Sequence, residues 1–190
     1  MAEADNRGKA AGQPGVDLLV AGGGVMGLWT ALFAARQGLS VQLVEKRRIG
    51  AGASGGLLGA LMPHLPDRWN AKKAFQFDAL VSLEGEVAAL EAETGLSAGY
   101  RRSGRLIPLG KPHNRDIALG HAEDARAAWR TPGRAFAFEV LDAAPVDGWP
   151  SGEAMACGLV RDHLAARLAP RSLVAALGAA LARLPNVSIR

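Results

Sequence analysis

Hydrophobic and polar positions change period several times along the chain. Val16-Asp17-Leu18-Leu19-Val20-Ala21 is a short, nearly continuous apolar run. Such a run predicts a strand buried on both faces, as in a parallel sheet. Gly22-Gly23-Gly24 ends it. From Val25 the period becomes helical: Val25, Leu28, Leu32 and Ala35, with Phe33 beside them, mark one face. Gly38 closes this helix, because glycine readily takes the left-handed conformation at a C-terminus. Ser40-Val41-Gln42-Leu43-Val44-Glu45 predicts a second strand. Residues 16–45 therefore read as a βαβ unit, with the right-handed crossover that parallel strands require.

Residues 49–66 hold too many glycines for a continuous helix and too many apolar residues for an ordinary surface loop. That combination predicts backbone packed closely against something flat or bulky. A long helix follows. Asn70 is its N-cap, Phe75, Leu80, Leu83, Val87 and Leu90 form its apolar stripe, and Gly95 ends it. The pattern then predicts a turn and strand within 100–109, a mixed-charge helix over 115–130 and a strand over 136–141. A Pro/Gly loop over 142–154 and a short strand over 156–160 come next. Pro170 stands in the first turn of an Ala-rich helix running to Leu184, where proline is tolerated. Pro185-Asn186 breaks that helix. Val187-Ser188-Ile189 starts a strand expected to join the parallel sheet begun by 16–21 and 40–45.

Composition narrows the class. At about 150 residues per domain, 190 residues predict one domain, or one and a fraction. A hydrophobic share of 49% is that of a globular protein. The single cysteine excludes an internal disulfide framework and multi-cysteine metal sites, and it fits a reduced, cytoplasmic compartment. No apolar run approaches the roughly 18–20 residues a membrane helix needs. The first fifteen residues lack the apolar core of a secretory signal and read as a flexible lead-in. The net charge of +4 comes from scattered bases, with 5% aromatics, which argues against a nucleic-acid partner. A small anionic ligand suits the modest positive field.

The candidate chemistry begins at Gly22-Gly23-Gly24-Val25-Met26-Gly27, which spells G-x-G-x-x-G. Gly22 permits the tight turn out of the strand. Gly24 lets a pyrophosphate approach the backbone, and Gly27 lets helix and strand pack closely. The helix start offers N–H groups and its positive dipole end to the phosphates. Glu45 ends the second strand about 20 residues past the motif, where an acid accepts hydrogen bonds from a ribose diol. A motif with this strand, helix and acid around it predicts dinucleotide binding. The same carboxylate repels a 2′-phosphate and so weighs against NADP, leaving NAD or FAD.

Gly50-Ala51-Gly52-Ala53-Ser54-Gly55-Gly56-Leu57-Leu58-Gly59-Ala60-Leu61-Met62-Pro63 resembles the Gly-rich loop of D-amino-acid-oxidase-like flavoenzymes. Position 58 is Leu where that loop commonly has Ala. Glu93-Thr94-Gly95-Leu96, Tyr100 to Leu106 and Leu168 to Leu177 resemble the glycine-oxidase branch. The resemblance implies FAD as cofactor and hydride transfer from an amine or amino acid to flavin N5. Gly22, Gly24 and Gly27, with Val25 and Met26, would hold the pyrophosphate; Glu45, followed by Lys46, would hold the adenosine ribose. Ser54 and Gly55 would lie near the phosphates and ribityl chain. Gly59, Ala60 and Leu61 would place backbone against the isoalloxazine, where main-chain N–H groups tune flavin electronics.

The implied fold is α/β: a Rossmann-like FAD-binding βαβ domain with part of an α+β substrate domain, truncated at its C-terminus. The segments are 1–15 (flexible), 16–69 (FAD-binding), 70–168 (helices and strands including part of the substrate domain) and 169–190 (returning to the FAD-binding domain). Residues binding the substrate carboxylate lie in the family's C-terminal half, so no catalytic residue is assigned. Three outcomes stay open: a fragment of a longer product, a chain whose missing half comes from another chain, and a non-catalytic dinucleotide-binding module or subunit; a homo-oligomer stays open beside them. An NAD-linked dehydrogenase fragment is a further alternative, against which the 50–63 loop argues. His64 is read as hydrogen-bonded structure, and Cys157 as a buried structural thiol. No metal is assigned. Gly52-Ala53-Ser54-Gly55-Gly56 spells G-x-S-x-G, but no apolar strand precedes it, which disfavours a hydrolase.

Overall fold

The computed structural model describes residues 15–190. The expected flexible lead-in therefore falls, except for Gly15, outside the described residues. The elements run β1 (Leu18–Ala21), α1 (Val25–Arg36), β2 (Val41–Val44), β3 (Gly59–Leu61), α2 (Ala71–Thr94), β4 (Arg105–Pro108) and α3 (Pro112–Ala128). Next come β5 (Arg130–Thr131), β6 (Arg134–Ala135), β7 (Phe138–Leu141), β8 (Leu159–Asp162), β9 (Ala166–Leu168), α4 (Pro170–Ala182) and β10 (Val187–Ile189). They form two compact units: residues up to Ser54 with Leu177–Arg190, and Gly55–Ala176.

The first unit is a parallel sheet in the order β1-β2-β10. Leu18 stands opposite Val41, and Val187 opposite Val41 on the other side, so β2 is central. Its Val41 and Leu43 are fully buried. Register is fixed at the strand entrances by Asp17 and Ser40. Asp17 Oδ2 accepts the Ser40 N–H at 2.8 Å and its hydroxyl at 2.7 Å. Helix α1 packs on β1 and β2 and buries Leu28, Ala31, Leu32 and Ala35. Phe33, expected on that face, is exposed and stacks on Trp29 at 5.2 Å. Five residues past Leu28, at about 3.6 residues per turn, it lies well off the buried stripe. The chain re-enters this sheet through Asn186. Its side-chain amide donates to Ala35 O at 2.9 Å and Leu39 O at 2.8 Å, just past the α1 C-terminus.

The second unit holds an antiparallel sheet, β4-β8-β7, and the pairs β3-β9 and β5-β6. Its core gathers Phe77 and Leu80 of α2, Ala118 and Ala125 of α3, and Trp129, Phe136, Phe138, Val160 and Leu164. Phe77 meets Phe136 edge-on at 5.9 Å, and Trp129 meets Phe138 at 5.8 Å. Edge-on rings are favoured by the aromatic quadrupole. Four of the chain's aromatics are gathered in this core. Asn70 caps α2 by accepting the Lys73 N–H at 3.2 Å, and Gly95 closes it with φ 74°. The α2 stripe shifts: Phe77 is buried, whereas Phe75 is 78% exposed. Leu80 and Phe77 are three apart and share a face; Phe75 is five from Leu80 and turns away from it. Four strands are absent from the sequence pattern: β3 inside 49–66, β9 at 166–168, and the two-residue β5 and β6. β3 and β9 are three residues long and exist by pairing with each other, as do β5 and β6.

Candidate functional site

Each glycine of the turn after β1 answers a different steric demand. Gly22 has φ 108°, a conformation that side chains rarely adopt. A Cβ at Gly27 would overlap the carbonyl oxygen of Gly22, so α1 and the strand end approach as only glycine allows. A Cβ at Gly24 would lie 3.3 Å from Ser54 Oγ. The middle residue, Gly23, received no role from the sequence. It is buried, and a Cβ there would meet Ile49 Cγ1 at 3.1 Å and Glu45 Cβ at 3.2 Å. Its carbonyl accepts the Gly50 N–H at 2.9 Å. Three successive glycines were the available signal for this fourth constrained position.

Helix α1 begins at Val25 with Gly24 as N-cap, which brings no side chain to satisfy the first N–H groups. Ser54 supplies an acceptor from the first part of the Gly-rich loop: its Oγ accepts the Val25 N–H at 2.9 Å. Glu45 lies at the end of β2. Its Oε2 accepts the Gly23 N–H at 2.8 Å and its Oε1 the Arg47 N–H at 3.0 Å. These two donors, Gly23 first, hold the carboxyl below the usual glutamate range, with Arg47 and Lys46 adding a smaller pull. Gly22, Gly24, Val25, Gly27, Glu45 and Ser54 are therefore brought together. Met26 and Lys46 are exposed, and neither side chain joins the hydrogen bonds of this cluster.

The remaining sequence-selected residues belong to the second unit. Gly55 O accepts Arg171 Nε at 2.6 Å, a partner the sequence did not single out. Gly59, Ala60 and Leu61 form β3, opposite Leu168, Arg167 and Ala166. A Cβ at Gly59 would stand 2.8 Å from Leu168 Cδ1 and 3.2 Å from Pro170 Cγ, so a side chain there would have to displace the Leu168 tip, and packing inside this unit already favours glycine. The chain leaving β3 is held by α2. Gln76 accepts the His64 N–H at 2.7 Å and donates to Met62 O at 3.3 Å, and Lys73 Nζ reaches Leu65 O at 2.9 Å. His64 thus acts through its backbone. Cys157 is half-buried rather than buried.

A dinucleotide fits the first-unit cluster on its own chemistry. An ionised carboxylate has about four lone-pair sites. Two on Glu45 are taken by N–H groups, leaving two for a vicinal diol. The start of α1 presents N–H groups and a positive dipole end beside glycines without side chains.

The family model described as DAO, FAD dependent oxidoreductase, matches residues 17–189. The chain belongs to this family of FAD-dependent oxidoreductases. Among solved structures, it is similar to glycine oxidase from Geobacillus kaustophilus, with a TM-score of 0.71 and 21% identity. It also matches L-amino acid deaminase from Proteus myxofaciens, with a TM-score of 0.74 and 18% identity. A third match is iminodiacetate oxidase from Chelativorans sp. BNC1, with a TM-score of 0.64 and 17% identity. These matches cover 92%, 95% and 91% of this chain but 46%, 39% and 46% of the others, so it spans less than half their length. At this identity they show a shared fold. No curated protein matches. Among the described residues, no helix is long and apolar enough to cross a membrane, and no group of three or more His, Cys, Asp and Glu could hold a metal ion.

Proposed function

We propose that this member of the family binds FAD and belongs to an oxidoreductase acting on an amine or amino acid. The observation that carries the reading is the Glu45–Gly23 hydrogen bond beside a Gly27 that tolerates no side chain. Bound FAD supplies a two-electron acceptor for the carbon bearing the amine. The chain's own residues bind and orient it. Gly22, Gly24, Val25, Met26 and Gly27 offer backbone to the pyrophosphate, and Ser54 and Gly55 lie along the phosphates and ribityl chain. Glu45, with Lys46 beside it, takes the adenosine ribose. The backbone of Gly59, Ala60 and Leu61 is assigned to the flavin ring on the family resemblance. Residues 16–69 and 169–190 serve the cofactor, and 70–168 belong in part to a substrate domain. The glycine oxidases among the similar structures support a small amino acid as substrate.

The test is an absorption spectrum of the purified protein from the near-ultraviolet to the red, before and after acid release. Two flavin bands with FAD in the supernatant support the reading. A colourless protein that also stays colourless with added FAD, alone and in a form extended past Arg190, overturns it.

A further inference from the structure

The second unit contains a cavity of about 650 Å³ that none of the flavin-related residues line. Its charged walls are Glu84, Arg101, Arg102 and Arg134, with Ser103 and Phe136 beside them. Three guanidiniums face one carboxylate, leaving two positive charges in excess.

The two inner groups are built into the fold. The Arg102 side chain is 8% exposed and pairs with Glu84 Oε2 at 3.0 Å. It also donates to Leu164 O at 2.6 Å, to Leu80 O at 2.9 Å and to Tyr100 Oη at 2.8 Å. Almost all of its five N–H donors are thereby used. Arg134 Nη1 shares the same Glu84 oxygen at 2.8 Å, and its guanidinium lies 4.6 Å over the Phe136 ring. Burial raises Glu84, but the two guanidiniums outweigh it and hold the carboxyl below its usual range.

The outer groups have donors to offer. Arg134 keeps Nε and Nη2 without acceptors among the described residues, and the Arg101 guanidinium makes no hydrogen bond or ion pair among them. The Ser103 hydroxyl has a 3.5 Å contact to Gly104 O, too long for a strong bond. Glu139 stands near the rim, hydrogen-bonded to His163 at 2.8 Å, and does not line the cavity.

We propose that this cavity binds a small dianionic oxyanion, a phosphate or a dicarboxylate, through Arg101, Arg134 and Ser103, with the Arg102–Glu84 pair as its rigid wall. A dianion neutralises both surplus charges, and its oxygens match the guanidinium fork. A monocarboxylate leaves one charge unpaired. The pocket is independent of the FAD reading, and either stands if the other fails.

The test is calorimetric titration of the whole chain at low ionic strength with inorganic phosphate, succinate and acetate. Saturable one-to-one binding of phosphate or succinate is expected, with acetate about tenfold weaker or worse, the loss of one charge-assisted pair. Phosphate alone binding points to a phosphorylated ligand, and succinate alone to a dicarboxylate. Arg101→Gln, which loses no side-chain partner among the described residues, weakens the dianion about tenfold. Arg134→Gln does the same, and the exposed Arg130→Gln outside the cavity changes nothing. Absence of saturable heat from both dianions, equal binding of acetate, or unchanged affinity in Arg101→Gln overturns the proposal.

Discussion

The Glu45 carboxylate closes on the backbone of Gly23, 22 residues earlier, at 2.8 Å. This contact joins the end of β2 to the turn after β1, and a side chain at position 23 would press on the Glu45 stem. The acid after β2 and the glycine turn after β1 are therefore one structure. Glu45→Gln retains one acceptor oxygen but loses the charge. FAD or ADP titration of this variant, followed by fluorescence, is expected to show about ten- to hundredfold weaker binding, the range for a charge-assisted pair. Undiminished affinity would remove Glu45 from the site.

Stability is expected to fall at acid pH. Glu45, Asp17 and Glu84 are all held below their usual ranges: Glu45 first by the Gly23 N–H, Asp17 first by the Ser40 hydroxyl, Glu84 by its two arginines against burial. A depressed carboxyl contributes stability that is fully present above its unfolded value and is lost as pH falls through the folded one. Thermal melts from pH 7 downward should decline below the ordinary carboxylate range. Glu84→Gln should flatten that decline, and a melt independent of pH there would contradict these pairings.

Glycines divide into those the fold requires and those it tolerates. Gly27→Ala forces a Cβ onto Gly22 O and should destabilise by about 1–3 kcal/mol, as overpacking does. Gly85, inside α2, has nothing within 4 Å of an added Cβ. Gly85→Ala should stabilise by about 0.5–1 kcal/mol through helix propensity. Denaturant unfolding of both variants gives the comparison, and equal signs would refute it.

Arg102 holds two core carbonyls, those of Leu80 and Leu164, from α2 and the turn after β8. Arg102→Met leaves both without this partner and Glu84 with one cation fewer. A loss of about 2–3 kcal/mol is expected in chemical unfolding, chiefly from the two carbonyls left without their donor. Arg102→Lys should recover less than half, because an ammonium lacks the planar fork.

Asn186 fastens the returning chain to the end of α1 through Ala35 O and Leu39 O. Asn186→Ala should cost about 1–2 kcal/mol, from two hydrogen bonds of ordinary strength. Hydrogen exchange should report faster opening of β10 than of β1, and equal protection would show that Asn186 is not the tether.

The sequence by itself determined the local and the chemical: the β1–α1–β2 unit, its glycine motif, Glu45 in its place, Asn70 and Gly95 at the ends of α2, and a strand at 187–189. These are set by apolar period, by caps and by backbone conformations that only glycine takes freely, all encoded within a few residues. Ser40–Asp17, Ser54 capping α1, Gly23 under Glu45, the β3–β9 pair and the arginine cavity depend on residues distant in the chain. Helical spacing from Leu80 already separates Phe77 from Phe75, but the ring that Phe77 meets, Phe136, is placed only by folding. A three-residue strand likewise has no periodicity to display, and only its partner makes it a strand. Tertiary structure decided these because burial and hydrogen bonding are properties of pairs, and the second member of each pair is placed by folding.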